Sequence, residues 1–135
     1  KEYARYVPRG QYIGSDPYNK FTKKSCMLIC EDNYSNAHGT PWLYKELGVG
    51  KLIGTPVPGT MTAVWWETQI DNSIYFGIPQ VGCMDMRGEY LENKELKPDI
   101  EVYNDPADFM NGKDAQLDAA IYEMMKETGN LDALK

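Results

Sequence analysis

A single histidine, three cysteines and no excess of positive charge occur in these 135 residues, and each scarcity removes a class of function. Lys and Arg number 14 against 20 Asp and Glu, for a net charge of −6, so the chain lacks the basic surface of a non-specific nucleic-acid binder. No basic run exceeds Lys23-Lys24, which leaves no polybasic patch for a membrane surface. No apolar run is long enough to cross a bilayer, and there is no signal-like start. The chain opens Lys-Glu-Tyr without an initiator methionine, so the expectation is a processed protein or a fragment of a longer one. One histidine without ligand-spaced partners makes no metal site, and no cofactor is expected. The cysteines are too few for a disulfide framework. Cys26 and Cys30 lie four apart on an expected strand, ~13 Å from each other at about 3.3 Å per residue, too far to bridge. All three are expected as buried thiols.

What is present is the composition of a soluble globular chain of single-domain length: 42% hydrophobic, 25% charged, 12% aromatic. Residues 1–24 carry Tyr3, Tyr6, Tyr12, Tyr18 and Phe21 among the breakers Pro8, Gly10, Gly14 and Pro17. They read as a connecting segment wrapped on the core, with a turn at Ser15-Asp16-Pro17 and a solvated face at Lys20, Lys23 and Lys24. Cys26 to Glu31 reads as a strand buried on both faces. A helix follows to about Leu47 with Gly48 as its stop, although Pro41 should delay or distort its start. Gly50 to Gly54 reads as a second buried strand, which completes a βαβ unit. The stiff loop Thr55-Pro56-Val57-Pro58-Gly59-Thr60 and the Asn33 to Asn36 turn should then share one rim, beyond the carboxyl ends of the strands. Thr62 to Ile70 and Ser73 to Ile78 form a hairpin around Asp71-Asn72-Ser73, with a further short strand within Pro79 to Met86. Pro98 to Val102 is extended and Asn104-Asp105-Pro106 is loop. From Asp114, a plausible N-cap, the series Leu117, Ala120, Ile121, Met124, Met125 marks an amphipathic helix. Trp42, Trp65 and Trp66 are expected mainly as core rings, though they could line a peptide groove.

The stretch with chemistry in it is Cys26 to His38. An apolar strand breaks at Glu31-Asp32-Asn33 and reaches Ser35 at the head of a helix. A serine at such a turn projects its hydroxyl off the sheet beside free helical N–H groups that can hold an oxyanion. Serine is equally a common N-cap, so the residues alone leave both readings open. His38, three residues on, is a helical neighbour of Ser35. It is expected as a rim or surface histidine rather than as a local base.

Three blocks carry a resemblance: Asn33-Tyr34-Ser35-Asn36-Ala37; Gly50-Lys51-Leu52-Ile53-Gly54-Thr55 with Pro58-Gly59; and Leu91-Glu92-Asn93 through Pro98-Asp99-Ile100-Glu101-Val102, with Gly112 to Leu117 after it. Their order and spacing resemble the carboxy-terminal processing (tail-specific) serine peptidases and the related tricorn-type core peptidases. The resemblance implies a mixed α/β fold: a partial crotonase/ClpP-like peptidase core containing a βαβ unit, with an added β-hairpin and a C-terminal helix. Residues 25–135 would be the C-terminal part of a catalytic domain. The processing enzymes place a lysine base 25 residues after the serine, a position held here by Thr60, so a Ser–Lys dyad is excluded. The tricorn-type enzymes use a glutamate six residues before the Pro-Asp block, a position held here by Glu92. The resemblance thus implies Ser35 as nucleophile, Glu92 as the acid that orients the base through a further serine, and the Asn36 N–H as half of the oxyanion hole. Gly59 and Thr60 would touch substrate. The histidine base and the second oxyanion donor would come from an upstream segment of the parent protein. The implied activity is peptide-bond cleavage through an acyl-enzyme, in an extracytoplasmic compartment of a bacterium, on peptide or protein substrates. The chain alone is then expected to be nearly inactive, and open sheet edges would invite a homo-oligomer or strand-exchanged dimer. A non-catalytic peptide-binding module on the same scaffold is the alternative. An acyl-CoA enzyme is a weaker one, for which no residue set here would hold CoA.

Overall fold

The computed structural model describes residues 2–14 and 21–134; the Ser15-Asp16-Pro17 turn, Tyr18 and Lys20 lie outside them. Its elements are β1 (Glu2–Val7), β2 (Tyr12–Gly14), β3 (Cys26–Ile29), α1 (Asn36–Glu46), β4 (Lys51–Gly54), β5 (Ala63–Thr68), β6 (Tyr75–Asp85), β7 (Ile100–Glu101), α2 (Pro106–Met110) and α3 (Ala115–Glu127), with a closing 3-10 turn at Leu131–Leu134. The strands form a three-stranded parallel sheet, β3-β4-β7, and a four-stranded antiparallel sheet, β2-β1-β6-β5. The class is mixed α/β.

In the parallel sheet β4 is central, and Leu52 and Ile53 are fully buried, as a strand covered on both faces should be. β3 differs from that expectation. It is an edge strand with Leu28 exposed on it, because apolar content alone does not tell an edge from a centre. Asp99 fixes the third strand: its carboxylate accepts the Leu52 N–H at 2.8 Å and its own N–H donates to the Leu52 carbonyl. Lys51, at the start of β4, pairs with Glu123 and Glu127 of α3 and so clamps that helix to the sheet. Asp114 caps α3 by accepting the Leu117 N–H at 3.0 Å. Asp105, expected in a loop, caps the short α2 in the same manner, with Pro106 in the first helical position.

Pro41 sits inside α1, which starts at Asn36 without delay. A proline there cannot donate to the Ala37 carbonyl four residues back. The Asn33 side-chain amide donates to that carbonyl instead, at 2.8 Å, and the helix continues.

The amino-terminal segment contributes two strands to the antiparallel sheet, since its breakers Pro8 and Gly10 fall in the turn between them. β6 runs for 11 residues through Pro79, which pairs with Val64 beside a register shift that leaves its neighbour Gln80 of β6 unmatched. A bulge is where a strand tolerates a proline. Beyond it the β5–β6 hairpin projects outward. Trp65 and Trp66 are 58% and 62% exposed, which corrects their assignment to the core. Alternation predicts which residues share a face; it does not say whether anything packs on that face.

Two apolar clusters result. One joins Ile29, Leu52, Val57 and Leu96; the other joins Ala4, Cys83 and Leu91; Trp42 of α1 packs against both. Of the cysteines only Cys83 is buried; Cys26 and Cys30 are half-buried, because β3 lies at the edge.

Gly54 ends β4 at φ +134°, and a Cβ there would lie 1.9 Å from the Ile29 carbonyl oxygen. Gly54→Ala is expected to lower unfolding free energy by about 3 kcal/mol or more, read from urea unfolding, because strain and a backbone clash coincide. A loss below about 1 kcal/mol would show that this close approach is not required.

Candidate active site

β3 and β4 pair in parallel with Ile29 opposite Gly54, so the loops that follow them leave the sheet at the same level. Residues 30–35 and 55–62 therefore meet on one rim. They are tied directly: the Glu31 N–H donates to the Thr55 hydroxyl at 3.0 Å, and that hydroxyl donates back to the Glu31 carboxylate. The Glu31 carboxyl is held below its usual range by this hydroxyl and by its own backbone N–H. Asn33 folds the turn itself. Its side-chain oxygen accepts from the Cys30 N–H at 3.1 Å and from the Cys30 thiol at 3.3 Å.

At the tip, Ser35 has φ 54° and ψ −114°. This is far from the left-handed helical well, and strained for any residue with a side chain. Ser35 occupies the N-cap position of α1, yet its hydroxyl makes no capping hydrogen bond. The Asn36 N–H has no hydrogen-bond partner among the described residues, whereas the Ala37 and His38 N–H groups are taken by the Tyr34 and Ser35 carbonyls. The Ser35 N–H donates to the Thr60 hydroxyl at 3.2 Å.

Thr60 thus holds the serine turn. Gly59 packs the 55–62 loop against the next one: its carbonyl accepts from Asn93, and a Cβ on it would meet the Lys94 backbone nitrogen at 2.1 Å. From that third loop Glu92 reaches back. One carboxylate oxygen accepts the Met61 N–H, the Thr62 N–H and the Thr62 hydroxyl, at 2.7, 2.7 and 2.8 Å. Burial opposes charge on Glu92, but these three donors outweigh it and hold the carboxyl below its usual range. Ser35, Thr60 and Glu92 therefore belong to one hydrogen-bonded assembly, joined through the short Thr60-Met61-Thr62 run. Thr62 was not singled out from sequence, and nothing short of this pairing would have marked it.

His38 lies elsewhere than expected. It is 1% exposed, not on the rim, and neither ring nitrogen makes a well-formed hydrogen bond among the described residues. The Thr60 backbone and the Glu92 carboxylate favour its charged form, but burial dominates and pushes the imidazole below its usual 6.5. The first turn of α1 turns this ring inward because the two loops carrying Thr60 and Glu92 close over it. That contact spans residues 38, 60 and 92 and is invisible to local periodicity.

Beside Asn36 a cavity of about 260 Å³ opens between α1 and the antiparallel sheet. Gly39, Trp42, Met61 and Leu91 line it, and no charged side chain does. Gly39 makes room for Met61, whose sulfur would lie 2.8 Å from a Cβ at that position. Among the described residues there is no cluster of three or more potential metal ligands.

A histidine kept neutral by the fold makes the unfolded chain the better proton binder. His38 therefore contributes stability that is complete above about pH 6.5 and is lost as the pH falls. The depressed carboxyls Glu92, Asp85 and Asp99 act with the same sign, but only below their ordinary values of 4.5 and 3.8. Unfolding free energies from urea titrations between about pH 8 and about pH 5 should fall with a slope of at most about 1.4 kcal/mol per pH unit. His38→Gln is expected to flatten that slope and to leave the decline at lower pH in place; an unchanged slope would mean the histidine is not held neutral.

The profile of peptidase family S41 matches residues 2–102. The tricorn protease of Thermoplasma acidophilum is 26% identical over 117 residues, covering 84% of this chain and 11% of that protein. The crystal structure of the tricorn protease superimposes with a TM-score of 0.70 at 28% identity, over 77% of this chain and 10% of the other. The crystal structure of mature CPAF gives a TM-score of 0.55 at 22% identity, over 63% and 16%, a likeness of fold. The chain spans about a tenth of the length of the tricorn protease it matches. A profile match over three-quarters of the residues, with relatives of tricorn type, places this chain in peptidase family S41.

Proposed function

We propose that this chain carries the nucleophile and the acidic relay of a tricorn-like serine peptidase, with residues 25–135 as the C-terminal part of its catalytic domain. The parallel β3-β4-β7 sheet with α1 would be part of a crotonase/ClpP-like core. One observation carries the reading above the others: Ser35 is strained at the head of α1 with its hydroxyl not spent on capping, and the Asn36 N–H beside it has no partner among the described residues. A serine that served only as a cap would show the opposite.

In this reading the Ser35 oxygen attacks the scissile carbonyl carbon while a base takes its proton. The carbonyl oxygen gains the negative charge, and the Asn36 N–H donates to it. Collapse of the adduct breaks the C–N bond, and the base returns the proton to the leaving amine, giving an acyl-serine that water then hydrolyses. His38 is not that base, since it is buried against Thr60 and Glu92; a histidine from outside this chain would serve. Glu92 keeps its charge under three donors, and its second carboxylate oxygen remains to orient the base through an intervening hydroxyl. The uncharged cavity beside Asn36 takes the substrate side chain next to the scissile bond. At about 260 Å³ it is below the roughly 300–1,000 Å³ that encloses a whole small ligand, and suits one apolar side chain.

Fluorophosphonate labelling of the full-length parent should mark Ser35 and be abolished by Ser35→Ala. Equal labelling of the two proteins overturns the nucleophile and leaves a peptide-binding module as the reading. Glu92→Gln, which keeps the acceptor oxygen but removes the charge, should slow labelling on the order of 10²-fold without loss of fold by circular dichroism.

A further inference from the structure

A second cavity, of about 300 Å³, lies on the antiparallel sheet between the β1–β2 turn and the base of the β5–β6 hairpin. Its walls are Tyr6, Val64 and Trp65, and its polar groups are the Arg9 guanidinium and the side-chain amides of Gln11 and Gln80. Arg9 makes no ion pair and no hydrogen bond with any described residue, and among the described residues no carboxylate lines the cavity. In a chain of net charge −6 most cations have acidic neighbours to pair with, as Lys45, Lys51, Arg87, Lys94 and Lys113 do here. Arg9, like Arg5 and Lys23, makes no such pair among the described residues, and of these three it alone lines this cavity, with Tyr6 and Trp65 as neighbours in the wall. Tyr6 also lines the apolar cavity that begins at Asn36, so the two openings are neighbours along β1.

We propose that the Arg9 cavity is a second subsite for the same peptide, one that holds a carboxylate on Arg9 while the carbon chain bearing it lies on Trp65. This rests on the peptide-binding role of the Ser35 rim proposed above. A guanidinium offers paired N–H donors matched to the two oxygens of a carboxylate, and the flanking amides supply further donors. The walls explain the composition of the hairpin base: Val64 and Trp65 are exposed to water in the free chain, and an occupant would cover them. A peptide that passes from the uncharged cavity over Tyr6 to Arg9 would carry an apolar residue at the first and a carboxylate at the second. The carboxylate is that of an acidic side chain or of the chain end; both present the same group.

Calorimetric titration separates these sources. The full chain is titrated at low salt with acetylated, amidated heptapeptides containing one leucine, in which a single glutamate is walked through the other positions, each against its glutamine counterpart. The neutral parent peptide is titrated with a free and with an amidated carboxyl end. At one glutamate position, or with the free end, binding should be about fivefold tighter than for the neutral control. Arg9→Gln should reduce that preference to less than twofold, and Arg9→Lys should retain part of it. The exposed turn position of Arg9 leaves folding of both variants intact, which circular dichroism verifies. A preference that survives Arg9→Gln overturns the subsite, as does the absence of any carboxylate preference or of any peptide binding. Ser35 labelling without an Arg9-dependent preference overturns the subsite alone. An Arg9-dependent preference without Ser35 labelling overturns the catalytic assignment alone.

Discussion

The candidate site depends on two parallel strands ending at the same level. Because Ile29 stands opposite Gly54, the turn after β3 and the loop after β4 emerge side by side. Everything chemical follows from that register. A slip of one residue would turn over the faces of the slipped strand and carry Thr55 and Thr60 away from Glu31 and Ser35. The register is held at its end by the lack of a side chain on Gly54 and along its length by the burial of Leu52 and Ile53. It is also held from the far side by Asp99, whose carboxylate binds the Leu52 N–H.

On that rim the molecule confines one strained residue with unstrained ones. Ser35 adopts a backbone conformation that costs of order 1–3 kcal/mol on its own. Its neighbours over-determine it: Asn33 closes the turn behind, Thr60 receives its N–H, and α1 begins at once ahead. Glu92 stiffens the Thr60 side by gathering three donors onto one oxygen. The glutamate therefore has a mechanical task, carried by one oxygen of its carboxylate.

The local features of this fold were legible in the sequence. The strand before Ser35, the helix ended by Gly48, the hairpin about Asp71-Asn72-Ser73 and the Asp114 cap all rest on contacts within a few residues. What was not legible rests on distant ones. His38 reads as a rim residue until residues 60 and 92 are seen to close over it. Pro41 reads as an obstacle until Asn33 is seen to take over its missing donation. Trp65 and Trp66 have the pattern of core residues, and only the extension of the hairpin past the end of β1 shows them uncovered. Pro8 and Gly10 read as signs of an irregular segment, though they mark a single turn between two strands. The cavity lined by Arg9 joins residues from three stretches of the chain, and no spacing would have drawn them together.

Trp42 has a consequence for cooperativity. Among the described residues it is the one side chain packed against both apolar clusters, and neither cluster is large. A small core that shares a wall with another cannot loosen privately: opening either exposes part of the indole that completes the other. The two sheets should therefore melt as a single unit instead of in succession. The helix that bears Trp42 is also the helix that begins at Ser35, so a disturbance deep in the antiparallel sheet, at Cys83 or Ala4, would be transmitted to the strained serine at its head.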